Sequence, residues 1–360
     1  IRIKPGTKMD RRTFFRLSGS GLTSFLIFPP AIGHPREAGN LRSVIPGKNK
    51  SEMSHYTPSY VELQRKGILK ERAGILKDMM HRCTLCPREC ETNRLRGRRG
   101  DCNARDRVEI ASVSPHFGEE KELVGEGGSG TIFFTNCSLL CVFCINADIS
   151  QGGHGREQSD KALARAMLKV QEMGCHNLNL VTPTHYAAHI VSALDIAAAE
   201  GLRLPVVYNT CGWEKTEILR LLEGVVDVYL ADFKYFHPEA ADKYSSGASS
   251  YPGITKKALL EMNDQVGVAR ADPDTGLINR GLMIRHLVMP NNACGSDKIM
   301  KWIGNNLPKD TYVNIMSQYT PVHKADEYSE IDRRITTDEY RRVVKAAQDA
   351  GLRRAVLQSG

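Results

Sequence analysis

Three closely spaced cysteines are the residues of this sequence with the clearest potential for chemistry. They form a C-x3-C-x2-C run at Cys137, Cys141 and Cys144. Neighbouring thiols favour metal ligation, because disulfides usually join segments that are distant in sequence. Three thiolates on one loop suit a cubane iron–sulfur cluster whose fourth iron stays open, whereas a structural zinc ion needs four protein ligands. The run predicts a cluster with one iron available to a substrate.

A second group of cysteines precedes this run in an arginine-rich stretch. It consists of Cys83, Cys86, Cys90 and Cys102. Four thiolates form a closed site that suits structural zinc or a second iron–sulfur cluster, and we favour zinc because the spacing matches neither common ferredoxin signature. Eight arginines and four acidic residues lie between positions 82 and 107. This composition is typical of a solvated knuckle with local ion pairs, which we favour, or of a docking surface for an acidic partner or RNA.

The elements that position these thiols alternate along the chain. From Gly130 onward, short β-rich runs alternate with amphipathic helices in about six βα units. Near-continuous apolar strands imply a parallel sheet that is buried on both faces. Right-handed crossovers curl such a sheet into a full or partial barrel, with the active site at the carboxyl ends of the strands. The isolated Cys175 and Cys294 are expected to be small buried hydrophobes in this fold.

Polar residues follow each of the first five predicted parallel strands. For any one strand, ordinary loop polarity explains them, but five in series at the same topological position favour a functional site. In strand order, the segments are Thr135-Asn136-Cys137, Thr182-Pro183-Thr184-His185, Tyr208-Asn209-Thr210-Cys211-Gly212, Asp232-Phe233-Lys234 and Arg285-His286.

The composition excludes several classes of protein. Of the 360 residues, 41% are hydrophobic and 25% are charged, which is close to a soluble globular average and unlike collagen, a coiled coil or a disordered chain. No apolar run reaches the ~18 residues of a membrane span. Residues 1–50 hold ten Lys/Arg and two acidic residues, which account for the whole formal charge of +8. The body of the protein is therefore neutral, which disfavours a nucleic-acid partner.

The first 50 residues are set apart from the fold. Arg11 and Arg12 precede a mildly apolar stretch from Leu17 to Ile32, and residues 9–33 resemble a twin-arginine export signal. The alternative is a basic, poorly ordered N-terminus. The predicted organisation is a signal-like or disordered segment at 1–50, an extension with the Cys-rich knuckle at 51–125 and the barrel domain at 126–360.

The cysteine run at the end of the first predicted strand carries a resemblance to a known family. The pattern C-x3-C-x-aromatic-C, with Phe143 as the aromatic residue, resembles the radical S-adenosylmethionine (SAM) superfamily. Over nearly all of residues 80–360, phrases such as Cys83-Thr-Leu-Cys86 and Arg285-His-Leu-Val-Met-Pro290 resemble an uncharacterised group described as pyruvate formate-lyase-activating-enzyme-like. The resemblance implies an α/β fold, a partial (β/α)6 TIM-like barrel with an N-terminal Cys-rich knuckle.

The resemblance also implies roles for individual residues. Cys137, Cys141 and Cys144, here called the triad, would hold a [4Fe-4S] cluster, with SAM on the open iron and Phe143 near the adenine. The backbone from Thr182 to Thr184 takes the place of a Gly-Gly-Glu run that receives the SAM amino group, and that run is absent here. The other implied SAM contacts are Asn209 and Thr210 beside the ribose, the Asp-x-Lys residues Asp232 and Lys234, and the carboxylate-binding Arg285.

These assignments predict a radical SAM oxidoreductase. Reduction of the cluster cleaves SAM to a 5′-deoxyadenosyl radical, which abstracts hydrogen from a protein or peptide substrate. Activation of a glycyl radical enzyme is the finer expectation from the resemblance. His185, Tyr186, Cys211 and Tyr319 are candidates to line the substrate side, with a purely structural role as the alternative. We assign no acid–base residue, because the initiating step needs none.

Two other functions stay open on the sequence alone. The arginine-rich knuckle is compatible with a radical SAM enzyme that modifies RNA, although the neutral body disfavours this. Two clusters also suit a non-catalytic electron carrier, but an electron carrier does not explain a three-ligand site. The expected partners are a protein or peptide substrate and a low-potential electron donor. SAM and such electrons are cytoplasmic supplies, whereas the N-terminal signal indicates export.

Overall fold

The structure, a computed structural model, describes residues 56–358. The predicted N-terminal segment, with the twin-arginine-like residues 9–33, lies outside this range. The helices within it are α1 (Tyr60–Arg65), α2 (Ile68–Asp78), α3 (Lys121–Val124), α4 (Ala147–Ser150), α5 (Asp160–Glu172), α6 (Ala187–Ala199), α7 (Thr216–Leu221), α8 (Pro238–Tyr244), α9 (Tyr251–Val266), α10 (Ser296–Asn306) and α11 (Thr337–Asp349). None of these helices is long and apolar enough to span a membrane.

One nine-stranded sheet organises the described residues, in the order β3-β1-β2-β4-β5-β6-β7-β8-β9. Strand β1 pairs antiparallel with both β2 and β3, and all pairs from β2 to β9 are parallel. The sheet is open, with β3 and β9 as its edges, and the predicted α/β class is confirmed. The strands are β1 (Val108–His116), β2 (Ser129–Phe134), β3 (Arg156–Gln158), β4 (Leu178–Val181), β5 (Val206–Thr210), β6 (Val228–Asp232), β7 (Gly281–Leu287), β8 (Tyr312–Met316) and β9 (Arg354–Gln358).

The two faces of the sheet are buried by different parts of the chain. Because side chains alternate along a strand, neighbours in parallel register share a face. Leu180 and Tyr208 are register partners and belong to the large core under the helices. On the other face, Leu230 and Met283 are register partners in a smaller cluster with Leu123 of α3. This second face is covered only in part, so some of its side chains are partly exposed.

Local signals set the limits of the crossover helix α5. The side chain of Ser159 accepts a hydrogen bond from the backbone N–H of Ala162 and so caps the helix at its N-terminus. Leu163, Met167 and Val170 recur at helical spacing and are buried. The helix stops before Gly174, whose φ of 78° suits glycine. Local sequence signals therefore account for the limits of this helix and for the face that it buries.

The knuckle, defined here as residues 83–102, is built of turns without regular strands. The backbone N–H of Cys83 donates to the carbonyl of Thr92, and the N–H of Glu91 donates back to the carbonyl of Cys83. Positive φ angles at Glu89 and Glu91 produce the reversals between the cysteines. The chain then enters β1, so the extension that carries the knuckle continues directly into the sheet.

Candidate metal and cofactor site

One face of the sheet stays accessible at the carboxyl ends of the parallel strands. Near these ends, the buried pattern of each strand from β2 to β8 is interrupted by partly exposed residues. Register and alternation place these side chains on the same face, opposite the helix-covered core. We call this row the accessible strip. Its members are Phe133, Val181, Asn209, Asp232, Arg285, Leu287 and Met316.

The triad lies at one end of the accessible strip, in the loop that follows β2. Each thiol has a hydrogen-bonding neighbour: the N–H of Leu139 donates to Cys137 at 3.4 Å, and the Ser245 hydroxyl donates to Cys141 at 3.3 Å. Ser150 Oγ lies 3.2 Å from the Cys144 sulfur. Donors of this kind stabilise thiolates and tune the potentials of iron–sulfur clusters. Hydrogen bonds in and around the loop would therefore stabilise the thiolate form of these cysteines.

Burial opposes ionisation of these thiols in the absence of a metal. It raises the pKa of Cys141 to about 12 and also raises the pKa of Cys144. For Cys137 the direction is opposite, because a hydrogen bond from the Cys211 thiol lowers its pKa. Metal binding needs thiolates, so ligation would release the protons that burial retains. Cys211 is thus placed directly beside the triad.

A cation and a carboxylate adjoin the triad: Lys234 and Asp232, which the resemblance implies as SAM contacts. The Lys234 ammonium lies 2.6 Å from a carboxylate oxygen of Asp232. Burial alone would lower the pKa of Lys234, but the nearby Asp232 carboxylate and the Cys141 sulfur raise it well above its ordinary value. The same positive charge partly opposes the effect of burial on the pKa of Cys141 and Cys144. Lys234 therefore stays charged and favours thiolates beside it.

The predicted pair Asn209 and Thr210 is divided between the two faces of β5. Asn209 lies on the accessible strip. Thr210 is buried, and its hydroxyl donates to Glu214, which also accepts a hydrogen bond from Thr184. Two of the predicted SAM contacts therefore hold a buried carboxylate in this structure, while the side chain of Asn209 is accessible.

Glu214 is a buried residue that sequence reasoning missed. Its Oε1 accepts both threonine hydroxyls, whereas its Oε2 has no hydrogen-bond partner among residues 56–358. Burial raises the Glu214 pKa to about 7, although the two hydroxyls oppose this. The available signal was a lone acidic residue directly after Gly212-Trp213, just past the end of β5.

Glu214→Gln is expected to raise stability above pH 7 and to change it little below pH 4.5. Between the ordinary carboxyl pKa of 4.5 and the folded value of about 7, the folded protein binds more protons than the unfolded chain, so its stability falls as the pH rises. The two values correspond to a loss of roughly 3 kcal/mol. Chemical denaturation of both proteins from pH 5 to pH 8 measures it, and parallel curves would contradict the assignment.

Arg285 lies on the accessible strip but is already paired with carboxylates. Its Nε donates to Glu120 at 2.7 Å, its second nitrogen donates to the other Glu120 oxygen at 2.6 Å, and it also contacts Glu119. The Asn314 amide donates to Glu120 at 2.8 Å and supports this arrangement. The segment before α3 thus places two acids, which sequence reasoning did not connect with Arg285, against the predicted carboxylate-binding residue.

The aromatic and imidazole candidates make internal contacts. Burial lowers the pKa of His185 to about 3, and its Nε2 lies 2.8 Å from the carbonyl of Thr135. The Tyr186 hydroxyl accepts from Asn136 at 3.0 Å. The Tyr319 hydroxyl donates to a backbone carbonyl, and its ring packs edge-on against Phe143 with centroids 5.8 Å apart. The side chains of His185, Tyr186, Tyr319 and Phe143 are all buried.

Two of the four knuckle thiols lie beside Gly100. A Cβ atom at Gly100 would lie 3.2 Å from the Cys90 sulfur and 3.6 Å from the Cys102 sulfur, so any larger residue here would crowd these sulfurs. Burial raises the pKa of Cys102 to about 11, and the neighbouring Cys83 and Cys90 sulfurs act in the same direction. Metal ligation by Cys102 would therefore have to release the proton that burial retains on its thiol.

Both cysteine groups fit metal ligation by donor type. All ten cysteines are free thiols. Across positions 56–358, however, no three His, Cys, Asp or Glu side chains are gathered closely enough around one point to hold a metal ion. Ligation of a single ion would therefore draw the sulfurs together. A cubane cluster spaces its ligands more widely than one ion does, which suits three thiols spread along one loop.

Comparison with known proteins gives one relationship. Over 313 residues the chain is 32% identical to the uncharacterized protein MJ0674 of Methanocaldococcus jannaschii, and the match covers 84% of this chain and 85% of the archaeal protein. The chain belongs to the family of this archaeal protein. No protein-family model matches the chain. The similarity to MJ0674 therefore covers most of the chain, and it assigns no activity.

Proposed function

We propose that the chain is a radical SAM enzyme of the MJ0674 family. The observation that carries the proposal is the partly buried Lys234–Asp232 pair beside three free thiols on one loop, at the carboxyl edge of a parallel sheet. With a [4Fe-4S] cluster on the triad and SAM on its open iron, reductive cleavage would supply a 5′-deoxyadenosyl radical for hydrogen abstraction from the substrate.

In this proposal the sheet is a partial (β/α)6 barrel. Strands β2 and β4 to β8 are its six strands, and the face with the accessible strip is its concave interior. The carboxyl ends of these strands are where such folds bind substrates. The incomplete cover on this face leaves Asn209, Asp232 and Arg285 partly exposed together, which supports a cofactor and substrate cavity there.

The polar residues of the accessible strip, together with the adjacent Lys234, match the groups of SAM. SAM carries an ammonium, a carboxylate and ribose hydroxyls, which need acceptors, cations and amides respectively. Lys234 offers a cation, Asp232 a carboxylate and Asn209 an amide. The Ser150 and Ser245 hydroxyls hold hydrogen bonds to triad sulfurs, so these residues keep the thiol loop in place while the others orient the ligand.

The substrate proposed is a protein or peptide, with glycyl radical enzyme activation as its finest form. The contacts of the knuckle disfavour RNA, since Arg88 and Arg94 are committed to backbone carbonyls and Arg82 pairs with Glu91 at its surface. An electron carrier stays less favoured because the triad has three thiols on its loop. A low-potential donor supplies the electron in the proposed reaction.

The deciding experiment is anaerobic SAM cleavage. The protein is reconstituted with iron and sulfide, reduced with dithionite and mixed with SAM, and 5′-deoxyadenosine is quantified. Wild-type protein and Cys175→Ala, which alters a buried cysteine outside both groups, are expected to form the nucleoside, whereas Cys141→Ala is not. Equal yields from Cys141→Ala would contradict the proposal. So would a fully loaded wild-type cluster whose electron paramagnetic resonance signal does not change when SAM is added.

A further inference from the structure

The knuckle is docked on the loops that carry the proposed active site. Arg88 lies between Cys86 and Cys90, and its guanidinium reaches three backbone carbonyls in two other segments of the chain. Its Nε donates to Ser138 at 2.5 Å, and its terminal nitrogens donate to Ser246 at 3.0 Å and Ser245 at 3.3 Å. Because all three acceptors are carbonyls, one positive charge holds them together.

Both of these segments touch the triad directly. Ser138 follows Cys137 within the triad loop. The hydroxyl of Ser245 donates to the Cys141 sulfur at 3.3 Å, and the N–H of Val142 donates to the carbonyl of Tyr244 at 3.0 Å. Arg88 therefore fastens the triad loop to the segment that hydrogen-bonds its central sulfur.

A third loop joins the same guanidinium through an aromatic ring. Arg88 lies over Trp213, with its guanidinium carbon 5.4 Å from the ring centroid, and Trp213 follows β5 two residues after Cys211. Trp213 is 2% exposed and Arg88 is half-buried, so the ring side of this cation–π contact is shielded from water. The loops after β2, β5 and β6 thus converge on one knuckle side chain.

Arg94 of the knuckle and Asn103, the residue directly after it, extend the contact to the loops after β4 and β2. Arg94 is fully buried; it donates to the carbonyl of His185 at 2.7 Å, and the same nitrogen lies 3.8 Å from the Cys83 sulfur. The Asn103 amide, next to Cys102, donates to Asn136 at 3.1 Å, immediately before the triad. Hydrogen bonds therefore join the knuckle to the loop after β4 through Arg94 and to the residue before Cys137 through Asn103.

We propose that metal binding at the knuckle orders the triad loop, and that Arg88 is the positioning residue that couples them. Cys86 and Cys90, which flank the Arg88 turn, are both proposed ligands, so ligation would fix the backbone that carries the guanidinium. Without metal no bond joins the two sulfurs, so the turn would be freer to move and the three carbonyls would hold their common donor less firmly. The knuckle metal is then a structural requirement for a competent triad. The inference rests on the proposed function only in that both cysteine groups bind metal.

The test removes the triad ligands and watches the triad loop alone. In the full chain with Cys137, Cys141 and Cys144 all changed to alanine, Zn²⁺ and, separately, iron with sulfide are added to the knuckle. Amide hydrogen exchange of residues 137–144 is followed by mass spectrometry. Metal that binds with knuckle stoichiometry is expected to slow this exchange at least ten-fold. The same addition to a protein that also carries Arg88→Ala is expected to bind metal and leave the exchange fast.

Two comparison variants separate positioning from general stability. Arg82→Ala removes an exposed arginine of the same stretch, whose partner is Glu91, and is expected to keep the metal-dependent slowing. Arg88→Lys retains a single-point donor and is expected to give an intermediate effect. The proposal is overturned if neither metal binds, if bound metal leaves exchange of residues 137–144 unchanged, or if Arg88→Ala still shows the full slowing.

The outcome is independent of SAM cleavage, because the test protein has no triad cluster. If metal orders the triad loop but the wild-type protein makes no 5′-deoxyadenosine, the coupling is supported and the proposed function is contradicted. If the wild-type protein makes 5′-deoxyadenosine but metal does not order the loop, the proposed function is supported and the coupling is contradicted. In the wild-type background, Arg88→Ala is also expected to broaden or shift the electron paramagnetic resonance signal of the triad cluster, which Arg82→Ala is not.

Discussion

Replacing Cys144 with alanine is expected to remove the triad cluster and to lower 5′-deoxyadenosine formation by more than about 100-fold, since changes to mere outer partners of metal ligands already cost ~10–100-fold. Two thiolates leave two irons of a cubane without protein ligands, so the cluster is lost on desalting. Iron and sulfide content, visible absorbance and nucleoside yield measure the effect together.

Cys294→Ala is the matched control for this loss. Cys294 is 1% exposed, and burial raises the pKa of its thiol as it does for the triad cysteine Cys144. Its electrostatic interaction with Cys141 also places it near the triad. Because it lies outside both cysteine groups in sequence, its replacement is expected to keep iron content within experimental error. Equal iron loss from Cys144→Ala and Cys294→Ala would contradict the assignment of the triad.

Replacing Lys234 with glutamine is expected to weaken SAM binding by about 100-fold, the equivalent of ~3 kcal/mol, because the ligand's carboxylate loses its cation and a charge-assisted hydrogen bond. The change also leaves the Asp232 carboxylate unpaired in a partly buried site. We expect the free energy of unfolding to fall by roughly 2 kcal/mol, between the values for exposed and fully buried ion pairs. Equilibrium binding of SAM to the loaded protein and chemical denaturation measure the two effects.

A double variant separates the ligand effect from the stability effect. Asp232→Asn combined with Lys234→Gln removes both charges, so stability is expected to return to within about 1 kcal/mol of wild type, while SAM binding stays weak. Lys345→Gln is the control, because Lys345 forms an exposed ion pair with Asp349 on α11 and should change neither quantity. Recovery of SAM binding in the double variant would show that Lys234 acts on folding alone.

The types and spacing of many candidate site residues were evident from the sequence before their geometry was known. The spacing of the triad and of the knuckle cysteines predicts metal donors, which stays a prediction, and the structure has all of these thiols free. Asp232 and Lys234 were predicted as SAM contacts, which also stays a prediction, and the structure shows them as an ion pair close to the Cys141 sulfur. These signals are local. Asp232 and Lys234 are two positions apart at the end of one strand, so their side chains must also be close in space.

The assignments that needed more than local order were less complete. Asn209 and Thr210 are adjacent in sequence but lie on opposite faces of β5, because side chains alternate along a strand. Which face is accessible depends on the cover that other segments provide. Glu214 was missed because its two hydroxyl partners come from the loop after β4 and the end of β5. Its burial is a property of the assembled fold.

By itself, the sequence determined the positions and spacing of both cysteine groups, the alternation that yields an α/β fold, and local features such as the Ser159 cap. The tertiary structure alone decided that Arg285 is paired with Glu120, 165 residues away, and that Arg88 meets Ser245 across 157 residues. The physical reason is range. Ligand type and capping depend on neighbours in the chain, whereas these hydrogen bonds exist only when strand register and loop packing bring distant segments within 3 Å or so.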